Sequence, residues 1–169
     1  MTHDLIISGG SVIDGTGSDA VRADVAIDGE RITRVGDLSG VEAARTIDAT
    51  GKVVTPGFVD LHTHLDAQVG WDPEMKSSCY HGVTTALIGN CGVTFAPVSA
   101  KNHRLLAELM EAVEDIEADA IMDGLPWNWN SYGQYLDAVQ ALKPGINVVG
   151  LAGHSAIRFE AMGDKSMDE

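Results

Sequence analysis

Apolar and polar residues alternate in short bursts through roughly the first fifty-odd residues, then give way to apolar runs separated by amphipathic stretches. Residues 4–13 read as two short strands around a Gly9-Gly10 turn. Val25-Ala26-Ile27 and residues 31–35 read as a hairpin joined by Asp28-Gly29-Glu30, since Asp-Gly between alternating apolar positions is a strong hairpin signal. Thr46-Ile47-Asp48 and Lys52-Val53-Val54 continue in that style, so residues 1–55 predict a small all-β domain.

From residue 56 the period changes. Residues 58–64 predict a strand entered through Pro56-Gly57. Residues 74–81 predict a short helix begun by Asp72-Pro73 and ended at Gly82. Residues 83–88 are β-branched and nearly all apolar, which predicts a strand buried on both faces. Leu105, Leu106, Leu109, Met110, Val113 and Ile116 recur at helical spacing and predict one helix over 105–122. Ser131 is the N-cap of a further predicted helix over 132–142, closed by Lys143-Pro144-Gly145. Residues 146–152 predict a third buried strand that delivers Gly153-His154-Ser155. Strands separated by helices imply an α/β class with a parallel sheet and right-handed crossovers.

Composition narrows the function classes. The 169 residues are 44% hydrophobic, enough for one substantial core or for one plus a small annex. A formal net charge of -14 repels phosphate backbones and no Lys/Arg cluster offsets it, so no nucleic-acid partner is expected. Neither Gly9-Gly10 nor Gly15-Thr16-Gly17 is followed by a helix pattern or a Lys-Ser/Thr pair, so both read as turns and not phosphate loops. No apolar run approaches the ~20 residues that cross a bilayer. Met1-Thr2-His3-Asp4 lacks the basic start of a signal peptide. No membrane association is expected. Two cysteines without a framework fit a reducing compartment, with the cytoplasm as the expected location.

The candidate chemistry sits at strand ends, where sites of parallel α/β folds gather. On a strand over 58–64, Asp60, His62 and His64 project to one face, and two imidazoles converging there are able to hold a metal ion. Cys91 and His154 stand at the ends of the next two predicted strands, so three successive strand ends carry a metal-capable side chain.

Pro56-Gly57-Phe58-Val59-Asp60-Leu61-His62-Thr63-His64 after a β-rich segment resembles the start of an amidohydrolase-superfamily metal-dependent hydrolase. Gly89-Asn90-Cys91-Gly92, Trp71-Asp72-Pro73, His81-Gly82-Val83-Thr84-Thr85, Leu125-Pro126-Trp127 and His154-Ser155-Ala156-Ile157-Arg158 are similar to the N-acyl-D-amino-acid deacylases (D-aminoacylases) within it. The resemblance covers essentially the whole chain in the family's order. It implies a (β/α)8 TIM barrel with a small β-sandwich built from both chain ends. It also implies a zinc-dependent amidohydrolase acting on small-molecule N-acyl-D-amino acids, with one or two Zn2+ ions. His62, His64 and Cys91 match the family's metal ligands. The family's general base, an aspartate late in the barrel, and its middle-strand histidines have no counterpart here, so the base is expected beyond Glu169. A barrel takes about 250 residues, and residues 56–169 match about its first three strands. The expectation is an incomplete, truncated barrel, an N-terminal fragment inactive alone, completed by self-association or a partner chain. The alternatives are a cyclic-amide hydrolase of dihydroorotase or hydantoinase type, which bridges its metals with a carboxylated lysine, and a non-catalytic fragment that assembles with a partner.

Around the three ligands the readings stay paired. Asp60 either orients an imidazole or bonds to backbone, and Asp66 either supports the site or caps the following turn. His154 serves substrate contact or structural support. Arg158 either grips a substrate carboxylate or forms a surface ion pair. Cys79, Trp127 and Trp129 read as packing, and Glu111, Glu114, Asp115 and Glu117 as a solvated helix face.

Overall fold

Strand β1 (His3–Val12) is the hub of the first of two units, Met1–Pro56 and Gly57–Glu169, in the computed structural model, which describes residues 2–167. With β2 (Val21–Asp28), β3 (Arg31–Gly36), β4 (Ala43–Asp48) and β5 (Val53–Val54) it forms one sheet, ordered β3-β2-β1-β4, with β5 paired to the end of β1. The β2–β3 hairpin turns at Gly29, whose φ of 58° suits the glycine. The predicted Gly9-Gly10 turn is absent: β1 runs through it as one strand. Gly9 (φ +71°) instead makes a bulge, where the register with β2 slips between Ile7 and Gly10, and its N–H donates to Asp24 Oδ1 at 2.7 Å. Ile6, Ala26 and Leu38 bury one face of this sheet. On the other face Ile32, Val35 and Ile47 stay exposed.

The second unit holds β6 (Phe58–Asp60), α1 (Lys76–Cys79), β7 (Val83–Ile88), α2 (His103–Glu114), α3 (Ala118–Gly124), α4 (Tyr132–Ala141), β8 (Asn147–Gly150) and α5 (His154–Met162). β6, β7 and β8 form a parallel sheet in that order. The chain is thus of mixed α/β class. Ser131 caps α4 as its sequence predicts, in a reciprocal capping box with Gln134.

Other predicted elements differ as well. The strand over 58–64 stops at Asp60, because the Asp60 carboxylate accepts the His62 N–H at 3.2 Å and turns the backbone away from the ladder. The helix over 74–81 shortens to α1, since Met75 is left-handed (φ 49°) and the Asp72 carboxylate takes the Lys76 N–H. The helix over 105–122 is two helices. Asp115 ends α2 in the left-handed conformation (φ 56°), and the Glu111 carboxylate, set down as a solvated face, accepts the Ala118 N–H that opens α3. The strands over 83–88 and 146–152 are not buried on both faces. Ala86 and Ile88 are fully buried on one face, while Asn147 and Val149, which share the opposite face with their partners Thr85 and Leu87, are exposed.

That packed side forms a core with Ile88, Phe95, Leu106, Met110, Ile121 and Tyr135 at its centre. Trp129 lies in it and donates its Nε1–H to the Phe95 carbonyl at 2.7 Å. Trp127 stacks on His103 with ring centroids 4.5 Å apart and donates to the Met122 carbonyl. Among the described residues no helix is long and apolar enough to cross a membrane.

Candidate metal centre

His62, His64 and Cys91 converge: one ligand atom from each lies within 4.8 Å of the others. His62 Nε2 is 3.2 Å from Cys91 Sγ, and the two imidazoles meet edge to face with centroids 5.5 Å apart. His62 and Cys91 are exposed; His64 is half-buried. The strand pleat does not bring the histidines together, since both lie beyond β6 in a loop. That loop is instead pinned to the next strand. Leu87 carbonyl accepts from the Thr63 N–H at 3.2 Å and from the Thr63 hydroxyl at 2.8 Å.

Cys91 is delivered by a tight turn after β7. Gly89 (φ 83°), Cys91 (φ 56°) and Gly92 (φ 79°) all lie in the left-handed region. For Cys91 that conformation costs about 1–2 kcal/mol against its right-handed alternative. Gly89 has no alternative residue, because a Cβ there would stand 2.1 Å from the Leu151 carbonyl oxygen. Between them the buried Asn90 amide donates to the Thr63 carbonyl at 3.2 Å and to the Leu87 carbonyl at 2.8 Å. Asn90 and Thr63 carry no role in the sequence reading, although Asn90 lies within the quoted Gly-Asn-Cys-Gly pattern. An amide between two glycines, beside a candidate ligand, is the signal available.

The donor chemistry suits zinc. Imidazole and thiolate are the ligands a borderline-soft ion prefers. With Zn–N near 2.0–2.1 Å and Zn–S near 2.3 Å, tetrahedral ligand atoms stand about 3.3–3.8 Å apart, and the His62–Cys91 separation of 3.2 Å is close to that. The buried His64 Nδ1 meets no hydrogen-bond partner among the described residues. The residues present therefore fit a metal ion.

The supporting candidates divide. Asp60 bonds the His62 backbone N–H, its carboxylate engaged with the loop and not with a ring. Asp66 is fully buried, and Oδ2 accepts the Gly89 N–H at 3.0 Å. Burial pushes its carboxyl up to about 7, against the Gly89 N–H and the Thr94 hydroxyl, which favour the charged form. The Tyr135 phenol donates to the Asp66 carbonyl at 3.1 Å, and burial first, then the Asp66 charge, pushes that phenol well above its usual range. His154 opens α5, a helix the sequence reading does not anticipate. It is exposed beside the Cys91 turn: a Cβ on Gly92 would lie 3.6 Å from His154 Cβ, but His154 stands outside the three-residue cluster. Arg158 follows one turn later on the same helix face and is half-buried. Cys79 is half-buried against the core and, like Cys91, a free thiol.

A parallel α/β sheet with a His-x-His loop and a cysteine at the next strand end is the mark of a metal-dependent hydrolase class. The amidohydrolase family model matches residues 45–169, and the chain belongs to the amidohydrolase family. An N-acyl-D-glutamate deacylase of Alcaligenes xylosoxydans xylosoxydans is 39% identical over 161 residues, covering 95% of this chain and 30% of its own. A D-aminoacylase of that organism is 35% identical over 161 residues, covering 95% and 31%. Among solved structures, a D-aminoacylase described by its binuclear metal centre, with one-metal activation and second-metal attenuation, matches with a TM-score of 0.81 at 38% identity, over 96% of this chain and 32% of that one. The N-acyl-D-glutamate deacylase from Bordetella bronchiseptica, complexed with zinc and a phosphonate mimic of the tetrahedral intermediate, gives 0.79 at 34%, over 97% and 32%. The chain spans about a third of the length of these relatives.

Proposed function

We propose that this chain supplies the His-x-His and Asn-Cys-Gly portion of a zinc-dependent amidohydrolase that cleaves the amide bond of N-acyl-D-amino acids. The observation that carries the reading is the convergence of His62, His64 and Cys91 within 4.8 Å, in a chain similar to deacylases over 95% of its length. Bound there, zinc supplies Lewis acidity, acidifying water and polarising an amide carbonyl. His62 and His64 hold it from one loop and Cys91 from the next. The exposed faces of His62 and Cys91 leave the centre open to a small acyl amino acid, while Thr63 and Asn90 keep the two loops in register. The thiolate at this position favours the deacylase reading over hydantoinase-type enzymes, which bridge their metals with a carboxylated lysine.

In this reading β6, β7 and β8 are opening strands of a (β/α)8 barrel, and the sheet of residues 1–55 is one layer of a small β-sandwich. Two features support it. β6 and β8 each pair along one side only among the described residues, so both edges are open to further strands of the same polypeptide or of a partner chain. Ile32, Val35 and Ile47 offer the sandwich an uncovered apolar face. The free thiols of Cys79 and Cys91 favour a reducing, cytoplasmic setting.

Zinc content is the direct test. The purified chain, equilibrated with zinc and desalted, retains about one equivalent, and His62→Ala or Cys91→Ala releases it. A parent chain that retains none sinks the reading. With the rest of the barrel supplied by further polypeptide or a partner chain, hydrolysis of an N-acetyl-D-amino acid in preference to its L enantiomer, abolished by the same two substitutions, then tests the substrate class.

A further inference from the structure

The two loops of the metal centre are joined by a carboxylate that the chemistry above does not use. Asp66 is two residues past His64 and fully buried, and its Oδ2 accepts the N–H of Gly89, two residues before Cys91. Its other oxygen, Oδ1, is buried without a hydrogen-bond partner among the described residues. Burying a carboxylate is costly even with the Gly89 N–H and the Thr94 hydroxyl favouring its charged form, and a merely packed position is better served by an apolar side chain. Such an arrangement marks a group kept for what it holds.

What it holds is the first residue of the turn that carries Cys91. Gly89 is wedged against the Leu151 carbonyl at the end of the neighbouring strand and has φ 83°; Cys91, two residues on, is left-handed at φ 56°. A non-glycine residue keeps that conformation only when its surroundings over-determine it. Behind Asp66, the Tyr135 phenol, from helix α4 in the core, fixes the Asp66 backbone through its carbonyl. A continuous link therefore runs from the buried Tyr135 through Asp66 to the Gly89 amide and the Cys91 turn. A relaxed turn swings Sγ away from His62 Nε2, which now stands 3.2 Å from it.

We propose that Asp66 is a positioning residue for Cys91: by accepting the Gly89 N–H it holds the left-handed turn that presents Sγ beside His62, and so admits the thiolate to the metal's ligand set. The inference rests on the metal-centre reading above. What Asp66 must provide is an acceptor oxygen at the place of Oδ2. An Asn side chain supplies that oxygen and an Ala side chain does not.

The test uses the full chain with Co2+ in place of zinc, because a thiolate bound to cobalt gives a near-ultraviolet charge-transfer band that reports the Cys91 bond itself. Outer hydrogen-bond partners of metal ligands change affinity by about 10–100-fold when lost. Asp66→Ala, with far-ultraviolet circular dichroism confirming its fold, is expected to bind cobalt about tenfold or more weakly and to lose most of the band. Asp66→Asn is expected to keep the band and stay within about threefold of the parent affinity. A folded Asp66→Ala chain with parent affinity and a full band overturns the proposal. Should Asp66→Ala not fold, Asp66→Asn decides alone: retention of the band supports the acceptor role, and its loss overturns it. A parent chain with no band removes the metal centre, and Asp66's role with it. A parent with the band and an unaltered Asp66→Ala removes the role only.

Discussion

The Asn90 side chain donates to the carbonyl of Thr63 at 3.2 Å, so the residue before Cys91 is bonded to the residue between His62 and His64. The same amide reaches the Leu87 carbonyl at 2.8 Å, and the bond to Thr63 is buried. Asn90→Ala is expected to destabilise the chain by about 1–3 kcal/mol, the cost of leaving the Thr63 carbonyl without its donor. It is also expected to weaken zinc binding. Urea unfolding and zinc titration of one preparation check both effects.

Cys91 is exposed and Cys79 half-buried, and only Cys91 belongs to the ligand cluster. Iodoacetamide is expected to label Cys91 first in the metal-free chain, and a zinc equivalent to block that site while leaving Cys79 labelling unchanged. Peptide mass spectrometry separates the two. Equal protection of both thiols, or of neither, counts against a zinc–Cys91 bond.

Asp66 predicts a pH dependence in the metal-free chain. Its folded pKa of about 7 stands above the ordinary 3.8 because of burial. Below pH 3.8 both folded and unfolded chains are protonated and ionisation costs nothing. As pH rises from there toward 7 the unfolded state loses its proton first, and stability falls until the folded form ionises too. Asp66→Asn removes this component. The difference in urea stability between variant and parent is expected to favour the variant more at pH 8 than at pH 4.

His103 works in the opposite sense. Burial lowers its pKa below 6.5, and its ring, stacked on Trp127, has a buried Nε2 without a partner among the described residues. A neutral folded form means stability is lost as pH falls below 6.5, where the unfolded state takes up the proton. His103→Phe keeps the stack and is expected to flatten the pH 5 to 7 portion of the stability profile.

Gly89→Ala tests the turn from its other side. The added methyl meets the Leu151 carbonyl oxygen at 2.1 Å, at a backbone φ of +83°. Two penalties coincide, so a loss of roughly 3 kcal/mol or more is expected. Loss of cobalt binding should accompany it.

The elements with a clean period were legible in the sequence. The hairpin at Asp28-Gly29, the α4 cap at Ser131 and the β7 strand follow from local rules and occur as expected. Those that differ were decided by side chains acting on backbone at close range. The Asp60 carboxylate breaks the strand before His62, and a left-handed Asp115 splits an otherwise continuous apolar stripe. Hydrophobic pattern carries no trace of either. The three ligands were legible as residue types at strand ends, whereas Asn90 and the Asp66–Gly89 bond depend on the register of two loops, which period and propensity do not encode.

The unit holding the metal centre also holds every aromatic chromophore of the chain. Trp71, Trp127 and Trp129, with all the tyrosines and phenylalanines, lie after residue 57, and the first unit has none. Light at 280 nm is therefore blind to the five-stranded sheet of residues 1–56. Tryptophan emission and near-ultraviolet dichroism follow the centre's own scaffold alone, while far-ultraviolet dichroism records both units. Melting curves collected by the two methods on one sample will coincide if the units unfold together and separate if they do not, with no label or truncation required.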